Sequence, residues 1–168
     1  MMTPLTSFKK IPPQNIENVF KLIGQDWMLI CAGDNAMTAS WGCMGVLWNK
    51  PVCTVFIRPQ RHTYTMTESN DRLALAFFDE SYRPALRHFG TKSGRDEDKF
   101  AATGLTRAHH ENGALYPAEA RMVIFCRKLY SDMLRKEAML DPTLLSHYPA
   151  DDFHRMYICE IDEVWTKE

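Results

Sequence analysis

No stretch of this 168-residue chain is apolar enough to cross a membrane as a helix, since no apolar run approaches the ~20 residues such a span needs. Neither sign of charge is in surplus: 20 Lys and Arg stand against 21 Asp and Glu, whereas a nucleic-acid-binding surface normally shows a basic excess. The opening residues, MMTPLTSFKKIPPQ, lack the long apolar stretch of a secretory signal. No internal repeat, low-complexity tract or Gly/Ser linker divides the chain. With 45% hydrophobic and 24% charged residues it has the make-up of a globular protein. The expectation is one cytoplasmic domain over residues 1–168, with neither nucleic acid nor membrane as partner.

The cysteines are scattered. Cys31, Cys43, Cys53, Cys126 and Cys159 are odd in number and never closer than ten positions. A disulfide framework would be denser and even, and a structural zinc site would show a close Cys pair. Most lie in apolar runs such as Leu29-Ile30-Cys31-Ala32, where a thiol acts as a small hydrophobe, so most are expected in the core. The known hydrolytic and nucleotide-binding signatures are missing too: there is no G-x-S-x-G, H-E-x-x-H, G-x-x-x-x-G-K-[ST] or G-x-G-x-x-G. His109-His110-Glu111 is a local cluster, but neighbours on a strand face opposite ways and cannot all meet one ion. It reads as a solvated loop edge, and no metal site is expected.

What the chain does contain is a series of short β-type runs between turn residues. Trp27–Ala32 ends at Gly33-Asp34-Asn35, Thr38–Trp41 is interrupted by Gly42, and Val46–Trp48 turns at Asn49-Lys50-Pro51 into Val52–Ile57. Runs joined so tightly pair antiparallel, because a parallel crossover has no room. Gln60 to Ser69 reads as a short helix opened by Pro59, and Leu73–Phe78 as a buried strand. Tyr82, Ala85, Leu86 and Phe89 share one helical face, with Ser81 as cap and Gly90 after them. Asp98 to Thr103 makes a turn or two of helix stopped by Gly104. Glu119–Tyr130 holds a central strand, and Tyr157, Cys159, Ile161 and Trp165 share one parity of a half-buried one. About seven strands and two or three short helices make a mainly β fold, an antiparallel barrel decorated by peripheral helices.

Three segments carry candidate chemistry. Asn35-Ala36-Met37-Thr38-Ala39-Ser40-Trp41-Gly42 is small-residued and hydroxyl-bearing, which lets a flat ligand approach the backbone, or else makes an ordinary barrel strand. Arg58-Pro59-Gln60-Arg61-His62-Thr63-Tyr64 places two arginines and a hydroxyl near a helix N-terminus, suited to a phosphate monoester or equally to a solvated basic turn. Lys92-Ser93-Gly94-Arg95-Asp96 is a cationic Gly-containing loop, weak evidence alone.

Taken in order, NAMTASWG, PVCTVFIRPQRHTY and TKSGRDEDKFAATGLT resemble the flavin reductase-like, FMN-binding split β-barrel proteins, near the flavoredoxin branch. The likeness runs through most of residues 27–105, with an echo in His154-Arg155-Met156-Tyr157-Ile158 leading to Glu160-Ile161. The resemblance implies a split barrel of Greek-key type, a homodimer, and FMN near the interface. It sets Asn35, Met37, Thr38, Ala39 and Ser40 along the isoalloxazine, and Arg58, Arg61, Thr63 and Tyr64 by the ribityl phosphate, with Arg61 and Thr63 its chief partners. Lys92, Ser93 and Gly94 match a loop closing near the cofactor, Asp96, Asp98, Lys99 and Phe100 a stretch of structural character, and His154 a recurrent histidine near the site. Trp41 packs on the flavin ring or in the core. Two departures stand out: Cys43-Met44 follows the Trp-Gly pair, and Leu73–Phe78 lacks the usual valine-asparagine pattern.

On this reading the flavin is the reactive group. NAD(P)H stacks on its ring and passes a hydride to flavin N5, so no catalytic acid or base is needed from the protein. Backbone donors near Ala39-Ser40 and the Lys92 cation are the candidates for stabilising the reduced ring. The alternatives are a flavoredoxin-like electron carrier with a redox protein partner and no nicotinamide site, or a non-redox binding module of the same barrel.

Overall fold

A computed structural model describes residues 8–167 of the chain. The described residues form ten strands: β1 (Phe8–Ile11), β2 (Met28–Ala32), β3 (Asn35–Ala39), β4 (Gly42–Leu47), β5 (Lys50–Ile57), β6 (Arg72–Phe77), β7 (Arg107–His109), β8 (Leu115–Pro117), β9 (Met122–Met133) and β10 (Arg155–Lys167). Eight of them make one sheet in the order β3-β2-β6-β9-β10-β5-β4, with β1 added on β10, and β7 pairs with β8 apart. All pairings are antiparallel. The sheet's outermost strands, β3 and β4, are joined by only Ser40 and Trp41, so the sheet must curl until its edges meet there. Gly42 marks the seam: a Cβ built on it lies 3.0 Å from the Thr54 carbonyl and 3.3 Å from Met28 Cε. The result is the antiparallel split barrel, and the Greek-key crossing lies where the chain leaves β5 and re-enters at β6 beyond β9 and β10.

The sheet has two cores. Met28, Ile30, Leu73, Leu75, Ile124, Tyr157 and Cys159 fill the barrel interior. Leu29, Cys31, Ala74, Ala76, Val123 and Phe125 point outward from the same strands, under Leu86, Phe89, Phe100 and Tyr116. Both faces of β2, β6 and the first half of β9 are thus covered, which explains continuous apolar runs such as Leu73–Phe78. Alternation in β10 breaks at Asp162, where the pairing with β9 slips. Val164 therefore enters the barrel while Trp165 joins Phe8, Tyr116 and Phe125 outside. The parity that groups Trp165 with Tyr157 fails because a bulge inserts one residue.

The β4–β5 hairpin turns at Trp48 and Asn49, both left-handed, between the paired Leu47 and Lys50. Asn35 belongs to β3 opposite Ala32, not to the turn. The helices are α1 (Val19–Lys21), running into a π turn over Leu22–Asp26, then α2 (His62–Ser69), α3 (Arg83–Thr91) and α4 (Lys99–Thr103). The α2 helix starts after the Pro59-Gln60 turn rather than at it. Ser81 sits in a 3₁₀ turn and caps nothing, and Gly90 lies inside α3. Asp98 caps α4 by accepting from the Phe100 and Ala101 amides, and Gly104 ends it at φ 73°. Cys31, Cys53, Cys126 and Cys159 are buried and Cys43 is exposed. No described helix is long and apolar enough to cross a membrane.

Candidate functional site

Two cavities of about 220 Å³ each meet at Arg61. The first lies between β3, the start of α2 and the loop after α3, walled by Asn35, Arg61, Thr63, Lys92, Ser93, Gly94, Arg95 and Lys99, with no carboxylate in its lining. Lys99 is 3% exposed. Its Nζ donates to the carbonyls of Ala36 (2.6 Å) and Phe89 (3.3 Å). Arg61 donates to Gly90 O (3.4 Å) and, at 3.5 Å, to the same Phe89 carbonyl. Two cations thus share one carbonyl, and among the described residues neither has a carboxylate in ion-pair range. Burial, and then the charge of Arg61, pull Lys99 down to a pKa of about 8, and burial lowers Arg61 as well. The α2 helix opens here with no side-chain cap. Asn35 Nδ2 donates to Thr63 Oγ1 at 2.9 Å, fixing both in the wall. Over them lies Gly94, where a Cβ would stand 2.5 Å from Asn35 Oδ1 and 2.9 Å from His62 Cδ2; only glycine lets the loop come down so far. Such a cradle fits a dianionic head such as a phosphate monoester.

The second cavity is lined by Met37, Thr38, Ala39, Ser40, Trp41, Phe56, Arg58, Arg61 and His154. Its character is different. Arg58 pairs with Asp152 at 2.7 Å and donates to the His147 carbonyl at 2.8 Å, so its charge is answered within the protein. His154 is buried and shares a 2.7 Å hydrogen bond at Nδ1 with the Tyr148 hydroxyl. Burial first, then the nearby Arg58 charge, push His154 down to about 4, leaving it neutral at ordinary pH. Trp41 is 47% exposed at the rim, edge-on to His147 and His154 at 5.2 and 5.5 Å. The Thr38 hydroxyl donates to the Leu86 carbonyl and ties β3 to α3. Strand backbone, small side chains and aromatic edges make this half a slot for a flat, uncharged ring.

The residues expected around a ligand are therefore brought together with one exception. Asn35, Arg61, Thr63, Lys92, Ser93 and Gly94 line the first cavity, and Met37 to Trp41, Arg58 and His154 line the second. Tyr64 lines neither and packs against the barrel core. Trp41 is at the rim, which excludes the core alternative for it. Arg58 stands at the ring half, its guanidinium engaged by the segment before β10. Lys99 is the cation that sequence reasoning set aside as structural; its place in a run of charges, Arg95 to Lys99, hides its burial. Nothing in the local pattern shows that Ala36, 63 positions away, supplies its acceptor.

Of the His109-His110-Glu111 cluster, His109 and Glu111 are exposed, as their polarity suggests, and His110 is the departure. His110 is buried, lying 4.3 Å from the Phe125 ring and 4.9 Å from that of Trp165. Its ligating atom lies within 4.8 Å of those of Glu111 and Glu163. However, Nδ1 accepts from the Asn112 amide at 3.2 Å, which leaves the proton on Nε2 facing Glu163. A metal at Nε2 would need the opposite tautomer, and Lys10 already pairs with Glu163 at 3.1 Å.

The geometry can be set against known proteins. A family model described as a flavin reductase like domain matches residues 22–168. Among solved structures, the chain is similar to an FMN-binding protein of Thermus thermophilus with bound p-hydroxybenzaldehyde (TM-score 0.69, 17% identity, covering 91% of this chain and 78% of that one). It is similar to a flavoredoxin of Desulfovibrio vulgaris (0.66, 23%, 84% and 69%). It is also similar to an NADH:FAD oxidoreductase of Streptomyces globisporus (0.62, 16%, 85% and 75%). At these identities the likeness concerns the fold. Among curated proteins no sequence match is found.

Proposed function

The chain belongs to the flavin reductase-like domain family, and from that premise we propose that it is an FMN-binding oxidoreductase that takes electrons from NADH or NADPH. The observation that carries the reading is the polarised groove: a cationic cradle without carboxylates opens, at Arg61, into a neutral aromatic slot. FMN has that same division, a phosphate dianion at one end and a flat heteroaromatic ring at the other.

Arg61 and Lys99 would hold the phosphate, with Thr63, Lys92, Ser93 and Gly94 around it and α2's first amides behind. The β3 backbone from Met37 to Ser40 would meet the polar ring edge, and Trp41 and His154 would bound the ring's far end. Bound FMN supplies the ring that exchanges a hydride or electrons. The chain's own part is to hold that ring in contact with its donor, exclude water, and place N–H donors at its edge.

We further assign a homodimer. Among the described residues no α-helix roofs the outer face of β4 and β5, unlike that of β2 and β6, and beside it Trp41, Val46 and Trp48 are 47%, 79% and 54% exposed. Mass measurement in solution tests this; a monomer at all concentrations would discard it.

The functional test is a visible spectrum of the full chain loaded with FMN, recorded without oxygen before and after NADH or NADPH. Bands that bleach with either nucleotide support the reading. Bands that stay oxidised with both would overturn the nicotinamide part and leave an electron carrier. No bound flavin at all would overturn the whole.

A further inference from the structure

Behind the ring half of the groove lies a buried hydrogen bond, between Tyr148 and His154, that the proposed function does not use. Tyr148 and His154 are each 8% exposed and share one hydrogen bond, Oη to Nδ1, at 2.7 Å. Tyr148 is held by stacking on Phe153 (centroids 4.5 Å apart, planes 22° apart) and by the Arg58 guanidinium 4.9 Å from its ring centre. His154 is held by the Trp41 and Phe56 edges and by its own carbonyl, which accepts from the Leu134 amide at 2.9 Å. The charged and titratable groups facing the pair are Arg58 from the end of β5, and Asp152 and His147 from the segment before β10. Arg58 and Asp152 neutralise each other at 2.7 Å.

Neutral phenol and neutral imidazole can share one hydrogen bond in two ways. If Nδ1 carried the proton, the phenol would accept it and its own hydrogen would need another acceptor; among the described residues it has none. If the phenol donates, its hydrogen is satisfied, Nδ1 is the acceptor, and the imidazole proton sits on Nε2. Nε2 has no hydrogen-bond partner among the described residues, and the imidazole lines the ring cavity.

We propose that Tyr148 is a positioning residue that locks His154 as the Nε2–H tautomer, so that the ring cavity presents a fixed hydrogen-bond donor and selects a ring with an acceptor, a carbonyl oxygen or bare ring nitrogen, at that edge. Identifying that ring as a flavin rests on the function proposed above; the tautomer does not. Because burial and Arg58 keep the imidazole neutral down to about pH 4, the donor persists unchanged across the physiological range.

The test has two parts. Long-range ¹H–¹⁵N correlation of the histidine rings in the full chain without ligand reads the tautomer directly. At pH 7 His154 is expected with bare Nδ1 and protonated Nε2, and Tyr148→Phe, which keeps the stacked ring, is expected to lose that preference. A wild-type His154 protonated at Nδ1, or one that is an imidazolium at pH 7, would overturn the proposal, as would a Tyr148→Phe protein with the tautomer unchanged. Riboflavin and FMN titrations form the second part. Tyr148→Phe is expected to weaken both by the same factor, roughly threefold to tenfold for one neutral hydrogen bond, and to do nothing further in a His154→Gln background, where the amide supplies its own N–H. An equal added loss in that background would mean that the Tyr148 hydroxyl does not act through His154, and would overturn the proposal. Absence of all flavin binding with the tautomer as expected would count against the function and leave the lock standing.

Discussion

At the Arg61 end of the groove two cations converge on the Phe89 carbonyl and no carboxylate lines the wall; at the Trp41 end the guanidinium of Arg58 is tied to Asp152 and the histidine is held neutral. Both ends carry arginine, and both are built at the seam of the same barrel. The difference lies in who answers the charge. Where the protein answers it, the guanidinium is structural and braces the segment that carries His154. Where it does not, the charge is left for a ligand. A count of basic residues along Arg58–Tyr64 would treat Arg58 and Arg61 alike, and the ion pairing separates them.

The comparison breaks most visibly if the cradle is emptied. Arg61→Ala combined with Lys99→Met should weaken FMN by about 3 kcal/mol or more, two charge-assisted contacts, while riboflavin, which has no phosphate, keeps its affinity in a parallel fluorescence titration. Equal losses for both would show that the cradle does not read the phosphate. Closing the cradle rather than discharging it is the next largest effect. Gly94→Ala must displace Asn35 or His62 and should cost FMN binding about 2 kcal/mol, with a thermal melt of the free protein confirming that it still folds.

Acidity sharpens the contrast further. Lys99 stands at about 8 in the free protein, against 10.5 ordinarily. Between those values the unfolded chain keeps a proton that the folded one has shed, so the free protein should gain stability as pH rises through that window. FMN binding, which needs the proton on Lys99, should fall over the same window. Lys99→Met should flatten both curves, measured by denaturant titration and by FMN titration. The smallest effect belongs to the other end: Trp41→Ala should weaken FMN and riboflavin alike, by about 1 kcal/mol, because its exposed ring can touch only the part the two ligands share.

Much of this was legible before the fold was seen. The tight turns after Ala32 and Leu47 fixed antiparallel pairing, whereas the small residues and hydroxyls from Asn35 to Trp41 fitted an ordinary barrel strand as well as a ligand slot, and only the family resemblance favoured the slot. The short α4 helix and its stop at Gly104 followed from local chemistry alone, while the part of Asp98 as its cap emerged only with the fold. What stayed hidden depended on distant partners. Arg58 meets Asp152, 94 positions on, and Lys99 meets Ala36, 63 positions back; neither contact leaves a trace in local composition. The bulge at Asp162 was equally invisible, because a period of two cannot register its own interruption.

The measurement that reaches the centre of the account is a paired titration of the full chain with FMN and with riboflavin at pH 7, followed by flavin fluorescence. The account expects FMN to bind about tenfold or more tightly, at least one charge-assisted phosphate contact. Equal affinities, or no binding of either, would contradict it.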